Sequence, residues 1–158
     1  MRTRIRSHLE WLGTLPMMPF SIVCAAYAFL LRLVPAFIVV PVMITNEETL
    51  SQIDATWFVA LVVAPIIETL VFQWFPIGVM SRLTSRSWLV LGTSAVLFSS
   101  AHHDSGLLSM LIAVPSGIAL AWAFLVQRDR GVWRALSTTA LVHMWVNLVA
   151  MTIGLITD

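Results

Sequence analysis

The chain has 158 residues, 59% of them hydrophobic and only 11% charged, with a mean hydropathy of +0.90 and a formal net charge of +1. Soluble domains carry roughly a quarter charged residues, so the long uncharged runs here make lipid the solvent for most of the chain and exclude a soluble domain of useful size beside the spans. A charge near zero excludes a basic field for nucleic acid, and a single cysteine, Cys24, excludes an intramolecular disulfide and a cysteine metal cluster.

In chain order, the start MRTRIRSHLEW is a basic patch. No small-residue cleavage site follows it, and the next apolar run is long and contains proline, so it predicts a retained cytoplasmic tail rather than a signal peptide. Hydropathy then predicts about five spans, at residues 16–44, 55–80, 88–102, 107–126 and 135–156. Isolated apolar spans must be helical, because lipid supplies no partner for backbone N–H and C=O groups. The alternating pattern of a transmembrane β-strand is absent. The fold class is therefore all-α, a polytopic transmembrane helix bundle. No repeat or linker divides residues 1–158 into more than one integral membrane domain.

The first span is irregular. Arg32 sits inside AFLLRLVPAFIVVPVMI, where a charge is costly unless it snorkels or pairs. Pro35 and Pro41 predict a kinked helix there, or a short span followed by an interfacial piece. With five spans, all other arginines fall on one side: Arg2, Arg4 and Arg6, then Arg82 and Arg86, then Arg128, Arg130 and Arg134. The opposite loops hold TNEETLSQID and HDSG, which are acidic or neutral. The positive-inside rule places the amino terminus in the cytoplasm of a multi-pass protein of the inner (plasma) membrane. Trp11, Trp57, Trp74, Trp88 and Trp133 suit interfacial anchoring.

Few strongly polar groups remain at depth: Glu68, Gln73, His102, His143 and Asn147. Glu68 lies about 13 residues, or roughly 20 Å of helix, from Ser81. His102 lies about 14 residues from Trp88, again roughly 20 Å. Asn147 is about 12 residues from Ala135, roughly 18 Å, with His143 one turn shallower. Taken singly, each has a structural reading. A membrane histidine or asparagine can act as helix glue, and an isolated acid can be a protonated structural carboxyl. Gln73 reads as structural, His8 as a surface residue, and His103, turned about 100° from His102, as a spectator. Three helices bringing an acid, two imidazoles and an amide to one level is better explained by a shared site.

Spacing supports that reading. His143 and Asn147 are i and i+4 and share a helix face. Phe98 and His102 have the same spacing, which gives the imidazole an aromatic neighbour. Thr69 and Gln73 stack in the same way.

These residues in this order resemble the CAAX protease and bacteriocin-processing enzyme family, also called the Abi family. Its pattern is EExxxR on one helix, FxxxH on the next and HxxxN on a later one. Here the three read ETLVFQ (Glu68 to Gln73), FSSAH (Phe98 to His102) and HMWVN (His143 to Asn147), with Ala64 and Pro65 just upstream also similar. The resemblance covers Ala64 to Ala150 and departs at two positions, Thr69 for the second glutamate and Gln73 for the arginine. A charged pair would be exchanged for a neutral, hydrogen-bonding one, which is cheaper in lipid.

The resemblance implies a CAAX-protease-like four-helix core at about residues 55–156 and peptide-bond hydrolysis in the membrane. Glu68 would activate water and His102 would orient it, with His143 and Asn147 donating to the oxyanion and Thr69, Gln73 and Phe98 in support. It implies a membrane-anchored protein or peptide as substrate. Members have also been described as metalloproteases, for which Glu68, His102 and His143 would suffice as Zn²⁺ ligands. Glu68 would then be a ligand and no second acid would remain as base, so the expectation is a glutamate protease without a cofactor. The rival readings are a proton-coupled carrier, against which the lack of a repeat argues, and a non-catalytic scaffold or immunity protein on the same fold.

Overall fold

The computed structural model describes residues 11–39 and 56–157, and every regular element among them is helical. The basic tail with Arg2, Arg4, Arg6 and His8, the acidic loop TNEETLSQID and Pro41 lie outside the described residues. After a helical stretch at 11–14, α1 (Met17–Val39) carries the first apolar run. It runs unbroken across Pro35, because transmembrane helices absorb one missing N–H through local adjustment. Its apolar part, Met17–Arg32, is short, and the end of the predicted run, residues 40–44, lies outside the described residues.

The second run becomes α2 (Val59–Leu83), entered through a turn of helix at Thr56–Phe58. Its winding alternates. Val59–Val63 is π-helical, Ala64–Glu68 is α-helical, Thr69–Trp74 is π-helical again and Phe75–Leu83 returns to α. Pro65 and Pro76 each stand at the start of an α-helical segment, directly after a π segment. A proline inside a helix removes one donor and crowds the carbonyl four residues back; widening the preceding turn relieves both, and such π turns recur at functional sites.

Then come α3 (Ser87–Ser100), a 3-10 turn at His103–Ser105, α4 (Leu107–Arg128) and α5 (Val132–Thr157). Gly106, with φ of 89°, makes the turn into α4, a left-handed backbone that side chains with a Cβ rarely adopt. Three helices are long and apolar enough to cross a membrane, at Val59–Leu83, Leu107–Arg128 and Val132–Ile153; shorter apolar helices lie at Met17–Arg32 and Ser87–Ser100. The protein is a helical membrane bundle, and each of the five predicted apolar runs falls on a helix, the first as far as Val39.

α4 is the hub. It packs against α1, α3 and α5, while α2 lies against α3 and α5. Lipid gives no hydrophobic drive for helices to associate, so small residues that allow close approach decide the packing. Ala113, Gly117, Ala121 and Ala123 form such a buried series on α4. At Gly117 a Cβ would stand only 3.0 Å from the Ala95 backbone and 3.1 Å from the Phe98 ring. Cys24 is fully buried against α4 as a small packing residue. Arg128 donates to the Ser81 hydroxyl at 2.7 Å, Arg134 donates to Gln127 at 3.1 Å, and Arg82 and Arg128 line one cleft. The second and third basic clusters therefore share one end of the bundle. Trp133, Trp88 and Trp11 project from the surface, as interfacial anchors do.

Candidate active site

The two π segments of α2 shape the site. Each turns a carbonyl toward a neighbouring helix, where a side chain meets it. Asn147 Nδ2 on α5 donates to the Ala60 carbonyl at 2.8 Å, within the first π segment. Ser94 Oγ on α3 donates to the Phe72 carbonyl at 2.6 Å, within the second. Between these two clamps lies the α-helical turn that carries Glu68 at its last position.

The carboxylate faces α5. Glu68 Oε2 is 3.6 Å from His143 Nε2, within ion-pair range but just beyond a direct hydrogen bond. The imidazole is 4% exposed and the carboxylate side chain 29% exposed, so the pair sits at the edge of the bundle interior with the acid on the open side. His143 Nδ1 is buried and has no hydrogen-bond partner among the described residues.

His102 does not lie in helix α3, as expected, but in the turn just after it; α3 ends at Ser100. Its Nδ1 sits 3.1 Å from the Phe98 carbonyl, which fixes the ring and leaves Nε2 available. His103 points away, against Asp104 at 2.8 Å and the Ser100 carbonyl, and it is well exposed.

Phe98 binds the arrangement together. Its buried ring lies 5.0 Å from the His102 ring and 5.4 Å from the His143 ring, and Phe72 meets it edge-on at 6.2 Å. The FxxxH spacing foretold the first contact; the second required α3 and α5 to be placed.

Thr69 and Gln73 behave differently from the expected hydrogen-bonded pair. Both are buried, yet Thr69 Oγ1 and both amide atoms of Gln73 lack a hydrogen-bond partner among the described residues. The physical reason is the winding. The i, i+4 pairing assumed an α-helical turn, and this segment is π-helical, which rotates and shifts one side chain relative to the other. Thr69 instead lines an apolar groove of about 440 Å³ between α2 and α5.

Among the described residues no three His, Cys, Asp or Glu side chains group closely enough to hold a metal ion.

Fold and site together define a helical membrane protein with an acid–imidazole pair inside the bundle, a histidine beside it and a shared aromatic wedge. The family model described as Type II CAAX prenyl endopeptidase Rce1-like matches residues 51–149, and the chain belongs to that family. Membership supports a membrane-bound protease in general, consistent with the CAAX-protease resemblance of the three motifs. No curated protein and no solved structure matches the chain. The matched residues take in Glu68, Phe98, His102, His143 and Asn147 and leave out all of α1.

Proposed function

We propose that the chain is an intramembrane endopeptidase in which Glu68 is the general base. The observation that supports this reading is the pairing of Glu68 with His143 at 3.6 Å inside a lipid-embedded bundle, where an acid is costly unless it is used. In this mechanism the Glu68 carboxylate takes a proton from a water oriented by His102. The water oxygen attacks the scissile carbonyl, and His143 Nε2 donates to the resulting oxyanion. Preorganised donors of this kind are worth about 3–4 kcal/mol each in other proteases. Glu68 then returns the proton to the leaving amine, giving a new carboxylate and a free amino terminus. Asn147, which spends one N–H on the Ala60 carbonyl, has a second N–H for the oxyanion and holds the first π turn in place.

The substrate is a membrane-anchored protein or peptide, in keeping with the family. The reading includes a single domain over residues 1–158, a core at about 55–156, a plasma-membrane location and a cytoplasmic amino terminus. No metal takes part, so 1,10-phenanthroline leaves the activity of the purified protein unchanged; a loss restored by Zn²⁺ would sink the glutamate mechanism.

The test is a comparison of membrane and secreted protein termini in the native host, wild type against Glu68→Gln at equal abundance. Termini present only with wild type name the substrate and assign Glu68. Identical termini, with Glu68→Gln rescuing the phenotype of a deletion, would replace the protease with a scaffold on the same fold.

A further inference from the structure

The end of the bundle where the second and third basic clusters meet holds a cleft of about 340 Å³. α2 supplies Trp74, Gly78 and Arg82, at i, i+4 spacing along one face, with Phe75 beside them; α4 supplies Phe124 and Arg128, again one turn apart. Arg82 and Arg128 each stand in the last turn of their helix, where the free carbonyl ends suit a cation. Half-way between Trp74 and Arg82, a Cβ at Gly78 would meet no atom of a neighbouring helix within 4 Å, so the missing side chain keeps the cleft open.

The two ends of the cleft differ in chemistry. At one, Trp74 and Phe75 form apolar walls and are exposed on the outside of the bundle, where acyl chains lie; at the other stand the two guanidiniums. Trp74 and Arg82 are eight positions apart, about 12 Å of helix. Arg128 Nη1 donates to Ser81 Oγ at 2.7 Å, which ties it to α2 and uses one of the five N–H groups of a guanidinium. Among the described residues no carboxylate pairs with either arginine. Asp104 meets His103, Glu68 meets His143, and Asp129, which follows Arg128 in the chain, does not line the cleft. Two cations that converge from different helices without an acid make a seat for an anion, and guanidiniums match phosphate oxygens with parallel N–H donors.

We propose that this cleft seats an anionic phospholipid, with the phosphodiester held by Arg82 and Arg128 and one acyl chain laid over Gly78, Phe75 and Trp74. Charge and polarity point to the same occupant. A free anion would leave the apolar walls uncovered, and a zwitterionic lipid would bring its own cation to a site that already has two. Basic pockets between membrane helices take anionic headgroups for these reasons. Glu68, His102, His143 and Asn147 do not line the cleft, so the lipid site stands or falls independently of the protease reading.

The experiment titrates the full chain, in a neutral detergent, with phosphatidylglycerol and with phosphatidylcholine of the same acyl chains, and counts bound lipid by native mass spectrometry. Phosphatidylglycerol is expected to bind at least about tenfold more tightly, since each arginine near a membrane surface contributes about fivefold. Arg82→Gln should remove most of that preference, and adding Arg128→Gln should bring the two lipids together. Gly78→Leu keeps both arginines and fills the cleft without striking a neighbouring helix, so it should weaken phosphatidylglycerol binding by a similar factor. Arg86→Gln with Arg130→Gln, at exposed arginines outside the lining, should leave the preference intact. Melting temperatures without added lipid confirm that the variants fold. Should Arg128→Gln unfold through the lost bond to Ser81, Arg82→Gln carries the test, because Arg82 makes no hydrogen bond or ion pair among the described residues.

Equal binding of the two lipids, or a preference that survives Arg82→Gln or Gly78→Leu, overturns the proposal. So does a preference lost just as fully with Arg86→Gln and Arg130→Gln, which would assign it to the diffuse charge of the basic end. Abolition by inorganic phosphate, but not by sodium chloride of equal ionic strength, would make the cleft a site for a free anion instead of a lipid.

Discussion

Phe98 contacts both site histidines with one ring, so its removal acts on two imidazoles at once. Phe98→Leu keeps an apolar side chain but loses the flat face that the rings lean on. Misplacing a reacting group by about 1 Å costs on the order of a hundredfold in rate. Cleavage by Phe98→Leu should accordingly fall by about 10–100-fold while the melting temperature changes little. A large drop in stability with unchanged specific activity would show that the ring packs the core and leaves the histidines alone. Gly117 guards the same ring from the other side. Gly117→Leu would drive a side chain into the Ala95 backbone and Phe98, so both stability and activity should drop, whereas Gly117→Ala asks the Ala95 backbone and the ring to yield by only a few tenths of an ångström. Thermal melting of the pair distinguishes a tight contact from an open one.

At the scale of the element, α2 is held by two side chains that meet its π turns. Asn147→Ala and Ser94→Ala each leave a carbonyl without its donor, at a cost of about 1 kcal/mol. The two clamps lie on opposite sides of the Glu68 turn, so the variants should lower activity more than their stability loss predicts. Equal losses in both would mean that the π turns hold their shape unaided. Thr69 and Gln73 offer a sharper test in the same helix. Thr69→Glu alone, or Gln73→Arg alone, buries an unpaired charge in a fully buried position and should destabilise strongly. The double variant restores the family's acid–arginine pair, and a melting-based double-mutant cycle should give a favourable coupling of more than about 1 kcal/mol. Additive losses would mean that the π winding keeps the two side chains apart even when they carry opposite charge.

For the whole molecule, the shared basic end formed by Arg82, Arg128 and Arg134 should face the cytoplasm. In a Cys24→Ser background, Asp104→Cys should react with an impermeant thiol reagent added to intact cells, while Thr3→Cys should react only after permeabilisation. The reverse pattern would invert the protein in its membrane.

The helices and the candidate polar residues were both legible in the amino-acid order, because hydropathy, proline placement and i, i+4 spacing act within a few turns of chain. The five apolar runs and the basic clusters on alternate loops settled a helical membrane protein before any contact was known. ETLVFQ, FSSAH and HMWVN marked the acid, the histidines and the amide. The sequence alone could not determine which partner each polar group meets, since partners lie on other helices and depend on register between helices. Two prolines rewind α2 into π turns, and that shift gave Asn147 a carbonyl to hold and separated Thr69 from Gln73. Close approach of Gly117 on α4 to the Ala95 backbone and the Phe98 ring seats α4 on α3, and the same ring meets two imidazoles. Arg32, an anomaly in the string of residues, is carried half-buried on α1, and only the tertiary structure shows that α1 packs against α4 and α5, because those contacts depend on register between helices far apart in the chain.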